Sequence, residues 1–298
     1  MTVLTVATRK SQLALAQARA WMTALTRATS VQTAELHVVT TGDRVQDVAL
    51  SQIGGKGLFI KEIEEALLDG RADVAVHSMK DVPAELAPSL VIGSVPARED
   101  PRDVVVTREG CAFEELRAGA KVGTSSLRRA TLLRALRPDL TYVPIRGNVD
   151  TRLRKCAEGL VDAVVLARAG LVRLGLEARA TEILDPSRCL PAIGQGALAI
   201  EQRASDDATR AIVDRLTDLP TWIAVAAERG VMSAVEGSCQ MPVAAYAVRE
   251  GGDLWLRGML AEPDGTRAVF RELRASFPSN PTAAHAVGVE LGRELKGA

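Results

Sequence analysis

The sequence predicts an α/β protein in which two α/β domains are followed by a small α+β domain. Three observations carry this. Short apolar runs alternate with helix-period segments through the first part of the chain. The alternation restarts after the charged, Pro-containing stretch "PAREDPRD". The C-terminal region then holds three strand-like runs in succession and a closing helix. A chain of 298 residues also exceeds what one core usually organises, and its 47% hydrophobic content can fill more than one.

In order, "VLTVAT" predicts a strand, and Ser11 caps the helix "QLALAQARAWMTALTRA". "ELHVVTT" predicts a strand, and "LFIKEIEEALLDG" a helix ending at Gly70, a residue suited to the left-handed turn after a helix. "DVAVHS" and "LVIGSV" have the continuous apolar character of buried strands, so the sheet is expected to be mostly parallel. In the second unit the strands are "DVVVT", "AKVGT", "LTYVPI" and "DAVVLA", with helices from Leu127 and after Asn148. "LPAIGQGALAIEQR" predicts the return crossing, with Gly194 and Gly196 as points of backbone freedom. The third region opens at "DLPTW". It has the helix "WIAVAAERGVMSAV", a Cys-containing loop, the strands "VAAYAVR", "LWLRGML" and "TRAVFREL", and the helix "TAAHAVGVELGREL". The expected division is 1–97 with 197–217, then 102–192, then 219–298. The sequence shows no internal repeat.

Composition removes several function classes. Lys+Arg and Asp+Glu are both 37, and aromatics are 3%, which argues against a general nucleic-acid binder. The four cysteines and three histidines have no metal-ligand spacing, so no metal is expected. The N-terminus lacks the pattern of a signal peptide, and no apolar run is long enough to span a membrane. A reducing, cytoplasmic setting with free thiols is the expectation.

Cations stand where helices disfavour them. Arg9 and Lys10 precede the first helix, Arg128 and Arg129 lie in a first turn behind Ser125 and Ser126, and Arg146 and Arg152 flank another helix start. Each placement costs roughly 0.3–1 kcal/mol against the helix dipole unless an anion is present. Solvated surface arginines would explain one pair. Three such sites, all at predicted strand carboxyl ends, point to a ligand with several carboxylates or phosphates. Lys80 and Asp81 follow the strand "DVAV", where a cation beside a carboxylate can do acid–base work. "GGKGLF" is no phosphate loop, because Lys56 is followed by Gly57 rather than Ser or Thr. It suits a lid loop. Cys239 sits in "EGSCQMPV", a Gly- and Pro-bounded loop where a thiol is open to reaction.

Taken together, "ATRKSQLAL", "GGKGLF", "HSMKDVP", "VGTSSLRR", "RGNVDTRL", "AGLVRLGL", "LPAIGQGAL" and "GSCQMPV" resemble the porphobilinogen deaminase (hydroxymethylbilane synthase) family. The resemblance implies two periplasmic-binding-protein-like α/β domains with a central cleft, plus a C-terminal α+β domain carrying a cysteine loop. It implies a cytoplasmic monomeric transferase that joins four porphobilinogen molecules into 1-hydroxymethylbilane. One dipyrromethane cofactor, held by a thioether to Cys239, carries the growing chain. By matching motif positions, Asp81 is the catalytic carboxylate. Lys80, Asp81, Ser126, Arg128, Arg129, Arg146 and Gln195 bind the cofactor. Arg9, Ser11, Arg146, Arg152 and Arg173 bind substrate side chains. Lys56 and Phe59 belong to the lid loop. Ser238, Met241 and Ala244 depart from the usual loop, and the preceding "AAERGVMSAV" lacks the family's bulky apolar run. Cys111, Cys156 and Cys189 match no cofactor position. The alternative reading is a non-catalytic, cytosolic, two-lobed polycarboxylate-binding protein. A cysteine hydrolase would need a histidine partner, and the three histidines are scattered along the sequence.

Overall fold

The computed structural model describes residues 3–44, 60–235 and 241–298, so Lys56, Phe59, Ser238 and Cys239 lie outside the described residues. The chain divides into two compact units, Met1–Glu99 with Ala197–Trp222, and Asp100–Gly196 with Ile223–Ala298.

The elements run in chain order as follows. The first segment holds β1 (Val3–Arg9), α1 (Gln12–Thr29), β2 (Gln32–Val38), α2 (Thr41–Arg44), α3 (Lys61–Leu68), β3 (Val74–Ser78) and β4 (Leu90–Ser94). Next come β5 (Asp103–Thr107), β6 (Lys121–Gly123), α4 (Leu127–Leu136), β7 (Thr141–Val143), α5 (Val149–Ala157), β8 (Ala163–Ala167), α6 (Arg168–Arg173) and β9 (Glu182–Ile183). The chain continues through β10 (Leu198–Arg203), α7 (Asp207–Val213) and α8 (Leu219–Ala234), and ends with β11 (Val243–Glu250), β12 (Asp253–Leu260), β13 (Val269–Ser276) and α9 (Pro281–Lys296).

In the first unit the sheet order is β2-β1-β3-β10-β4. Strand alternation sends Leu4 and Val6 toward Trp21, Met22 and Leu25 of α1. Ala7 and Ala75 face Ile63, Ala66 and Leu67 of α3 on the other side. The result is three layers, and each fully buried large apolar side chain contributes about 1.5–3 kcal/mol. Ser11 caps α1 as expected, accepting the Ala14 N–H at 3.3 Å. Gly70 takes the left-handed conformation after α3, with φ of 72°.

In the second unit the order is β7-β6-β8-β5-β9. Val104, Val106, Val164 and Leu166 face α5 and α6, while Val105, Val122 and Val165 face Leu132 and Leu133 of α4. The latter core also takes in Ala244, Met259 and Ala261 from β11, β12 and the residue beyond. The strands β11, β12 and β13 form an antiparallel meander, and α9 packs along it.

One expectation changes. The sheets are mixed, not mostly parallel: β10 runs antiparallel to both β3 and β4, and β5 antiparallel to both β8 and β9. The reason is connectivity, because β5 and β10 each enter their sheet directly after a chain crossing rather than through a helix that would reverse direction. The chain also repeats in topology where it does not repeat in sequence. In each unit three parallel strands adjoin an antiparallel inserted strand and then an edge strand.

Candidate functional site

Among the described residues, the predicted site residues of the first unit gather at the carboxyl ends of β1 and β3, which are neighbours in the sheet. Arg9 is the last residue of β1 and Ser11 the cap of α1. After β3 the chain makes a single 3₁₀ turn, Met79–Asp81. Met79 is buried and anchors the turn, its N–H donating to the Ala197 carbonyl at 3.0 Å, while Lys80 and Asp81 are exposed. One residue earlier, the Ser78 hydroxyl and the Gln17 amide of α1 hydrogen-bond at 2.9 and 3.1 Å. A rigid strand end thus presents a lysine and a carboxylate outward.

The second unit places its residues at the carboxyl ends of β6, β7 and β8. Ser126 caps α4, accepting the Arg129 N–H at 3.4 Å. The Ser125 hydroxyl donates to the Ile145 carbonyl at 2.7 Å and accepts the Ile145 N–H at 3.0 Å, which ties the loop after β6 to the loop holding Arg146. Arg146 and Arg152 are half-buried, and Arg152 Nε donates to the Gly147 carbonyl at 2.8 Å. Arg173 ends α6 and donates to the Gly196 carbonyl at 2.7 Å.

Arg128 and Arg129 are both buried, and an internal carboxylate already faces them. Because β5 is antiparallel to β8, its first residue, Asp103, pairs with Ala167 at the carboxyl end of β8. Asp103 Oδ2 accepts from Arg128 Nη1 at 2.8 Å, and Oδ1 accepts from Arg129 Nε and Nη2 at 3.0 and 2.7 Å. The Gln195 amide donates to the same Oδ1 at 2.9 Å and to the Pro101 carbonyl at 2.7 Å. Arg128 Nη1 further donates to the Leu190 carbonyl, and Arg129 Nη1 to the Val165 carbonyl. Burial alone would raise the Asp103 carboxyl, but the two guanidiniums outweigh it and hold it well below the usual carboxylate range. Cys189 donates its thiol to Asp103 Oδ2 at 3.3 Å, and burial, with that negative charge, pushes it up to about 12. It is therefore a thiol at neutral pH and no nucleophile. Arg128 Nε is buried and has no hydrogen-bond partner among the described residues.

Sequence reasoning missed Asp103. Its signal was present: a lone acid heading the all-buried strand "DVVVT" must find a cation. It also missed Glu228, whose carboxylate accepts the N–H groups of Gly194 at 2.7 Å and Ala247 at 3.0 Å. The Gly194 end of the crossing is therefore held, although Gly194 and Gly196 do adopt positive φ.

In the second unit the guanidiniums and the capped start of α4, with an Arg128 N–H that has no partner among the described residues, fit a ligand rich in carboxylates. Each unit is an α/β sheet with cations at its strand carboxyl ends. The chain belongs to the porphobilinogen deaminase family. The family model "Porphobilinogen deaminase, dipyromethane cofactor binding domain" matches residues 4–211, and "Porphobilinogen deaminase, C-terminal domain" matches residues 222–297. The porphobilinogen deaminase of Sorangium cellulosum is 63% identical over 99% of both chains. That of Syntrophobacter fumaroxidans is 50% identical over 98% of this chain and 94% of its own. A solved periplasmic substrate-binding protein of an ABC transporter from Coxiella burnetii aligns with 76% of this chain and 96% of its own, at 15% identity and a TM-score of 0.46.

Proposed function

We propose that this chain is a transferase that deaminates four porphobilinogen molecules and joins them head to tail into 1-hydroxymethylbilane, in tetrapyrrole biosynthesis. The observation that carries this reading is the family match across both parts of the chain. The cations gathered at strand carboxyl ends in each unit agree with it. When bound, the dipyrromethane cofactor supplies the terminal pyrrole to which substrate is added. Its tether is assigned to the Cys239 sulfur, since a thiolate is the protein nucleophile best suited to a carbon electrophile at neutral pH.

From the second unit, Ser126, Arg128, Arg129, Arg146 and Gln195 are assigned to cofactor carboxylates. Arg146, Arg152 and Arg173 are assigned to the acetate and propionate groups of substrate. Guanidinium forks match carboxylates two bonds at a time, so they orient as well as attract. From the first unit, Arg9 and Ser11 are assigned to substrate side chains and Lys80 to the cofactor. Asp81 is assigned the chemistry. Its carboxylate accepts pyrrole N–H groups, stabilises the positive charge left as ammonia departs, and takes the proton released after coupling. Lys56 and Phe59 are assigned to a lid loop. The division into 1–97 with 197–217, 102–192 and 219–298, the thioether, the cytoplasmic location and the monomeric state belong to the same proposal; light scattering checks the last.

A non-catalytic polycarboxylate binder would use the arginines but leaves Asp81 and Cys239 without a task. Intact-protein mass spectrometry tests the proposal. The chain should weigh two pyrrole units more than its sequence, Cys239→Ala should remove the excess, and Asp81→Asn should keep it while losing turnover. A bare wild-type mass after incubation with porphobilinogen, with no product formed, would refute it.

A further inference from the structure

We propose that Asp103 is a positioning residue for cofactor capture, orienting the Arg128 and Arg129 guanidiniums so that the cluster accepts one further carboxylate on the Nε side of Arg128. The inference rests on the proposed function for the identity of that carboxylate. The geometry itself rests on the chain alone.

Asp103 is fully buried, and Arg128 and Arg129 are 5% and 6% exposed. In such surroundings a guanidinium is held by its partners and not by water. Arg129 commits every nitrogen inside the chain: Nε and Nη2 to Asp103, Nη1 to the Val165 carbonyl. It acts as a strut. Arg128 commits Nη1 to Asp103 and to the Leu190 carbonyl at 2.6 Å, which fixes the plane of its fork. Its Nε–H is left buried with no partner among the described residues. A buried charged donor is ordinarily met by an acceptor, whether protein, water or ligand, so this N–H has capacity for one more. Charge points the same way. Two guanidiniums face one carboxylate, and Cys189 is a neutral thiol, so the cluster keeps one positive charge in excess. One carboxylate arriving at Arg128 would satisfy both the orphan donor and the excess charge.

Charge and position make opposite predictions for Asp103→Asn. If Asp103 only dilutes positive charge, its removal should speed capture of an anionic cofactor. If it orients the forks, capture should slow. Apo-protein is mixed with porphobilinogen, and incorporation of two pyrrole units is followed by intact mass, per folded molecule as measured by near-UV circular dichroism. Asp103→Asn should incorporate at least about tenfold more slowly, the equivalent of one lost charge-assisted hydrogen bond. A rate equal to or above wild type overturns the proposal. Should that variant not fold, Asp103→Glu decides, since it keeps the charge but moves the carboxylate by one methylene. Slower incorporation supports positioning, and the wild-type rate overturns it. If wild type itself takes up no pyrrole, the proposed function falls, and succinate then serves as the probe. The Arg128 Nε–H resonance should move on titration in wild type and not in Asp103→Asn; no movement in wild type overturns the inference.

Discussion

A carboxylate shut away from water stays ionised only if cations replace the water, and Arg128 and Arg129 do this for Asp103. The consequence for stability has a definite sign. The folded carboxyl is held below its ordinary value, so its contribution is complete above the unfolded Asp pKa of about 3.9. The contribution is lost as pH falls through the lower folded value. Asp103→Asn should cost about 3–5 kcal/mol at neutral pH, because two buried cations lose their anion. Urea titrations should show the gap from wild type narrowing below about pH 4, where wild type begins to lose the same interaction. A gap that stays constant down to pH 3 would mean that the Asp103 charge is not what holds the cluster. At this scale the sequence was half legible. The arginines stood out because they oppose a helix dipole, and Ser126 and Ser11 were readable as caps. The partner was not, since Asp103 and Arg128 are 25 residues apart and meet only through strand order.

At the scale of elements, "AAERGVMSAV" lacks the bulky apolar run that the family resemblance leads one to expect. The structure supplies a reason. A Cβ on Gly230 would strike the His285 carbonyl oxygen, and one on Gly288 the Ala227 carbonyl oxygen. A Cβ on Gly292 would lie 2.9 Å from the Val231 carbonyl oxygen. So α8 and α9 cross backbone against backbone, and small residues are what this contact requires. Gly288→Ala should therefore cost at least about 2 kcal/mol in urea unfolding, although Ala favours a helix by roughly 1 kcal/mol over Gly. Gly252, with open space around its Cα, should tolerate Ala within about 0.5 kcal/mol and serves as the control. Equal effects at the two positions would remove the close crossing as the explanation. Element types were largely readable from periodicity. Strand direction was not, because an apolar run is the same in a parallel or an antiparallel neighbourhood.

Over the whole molecule, each five-stranded sheet is completed by a strand that arrives after a chain crossing. In the first unit that strand is β10, and beyond its ladder a buried side-chain pair joins it to β3: His77 Nε2 and Glu201 Oε2 lie 2.8 Å apart, both nearly inaccessible. The pair spans 124 residues of sequence. Glu201→Ala should strand His77 and cost about 2–4 kcal/mol. Hydrogen exchange followed by mass spectrometry should show faster exchange in β1, β3 and β10 and little change in β11–β13. A uniform rise across all strands would argue that the two compact units do not open separately. By itself the sequence determined the kinds of element, the cation-bearing strand ends, the place of Lys80 and Asp81 just after a strand and the family resemblance, because each depends on residues close together along the chain. Tertiary structure alone decided that both sheets are mixed, that the two units share one strand pattern, and that the anion facing Arg128 and Arg129 is Asp103. Those depend on which distant strands lie side by side and in which direction, and local periodicity carries no record of either.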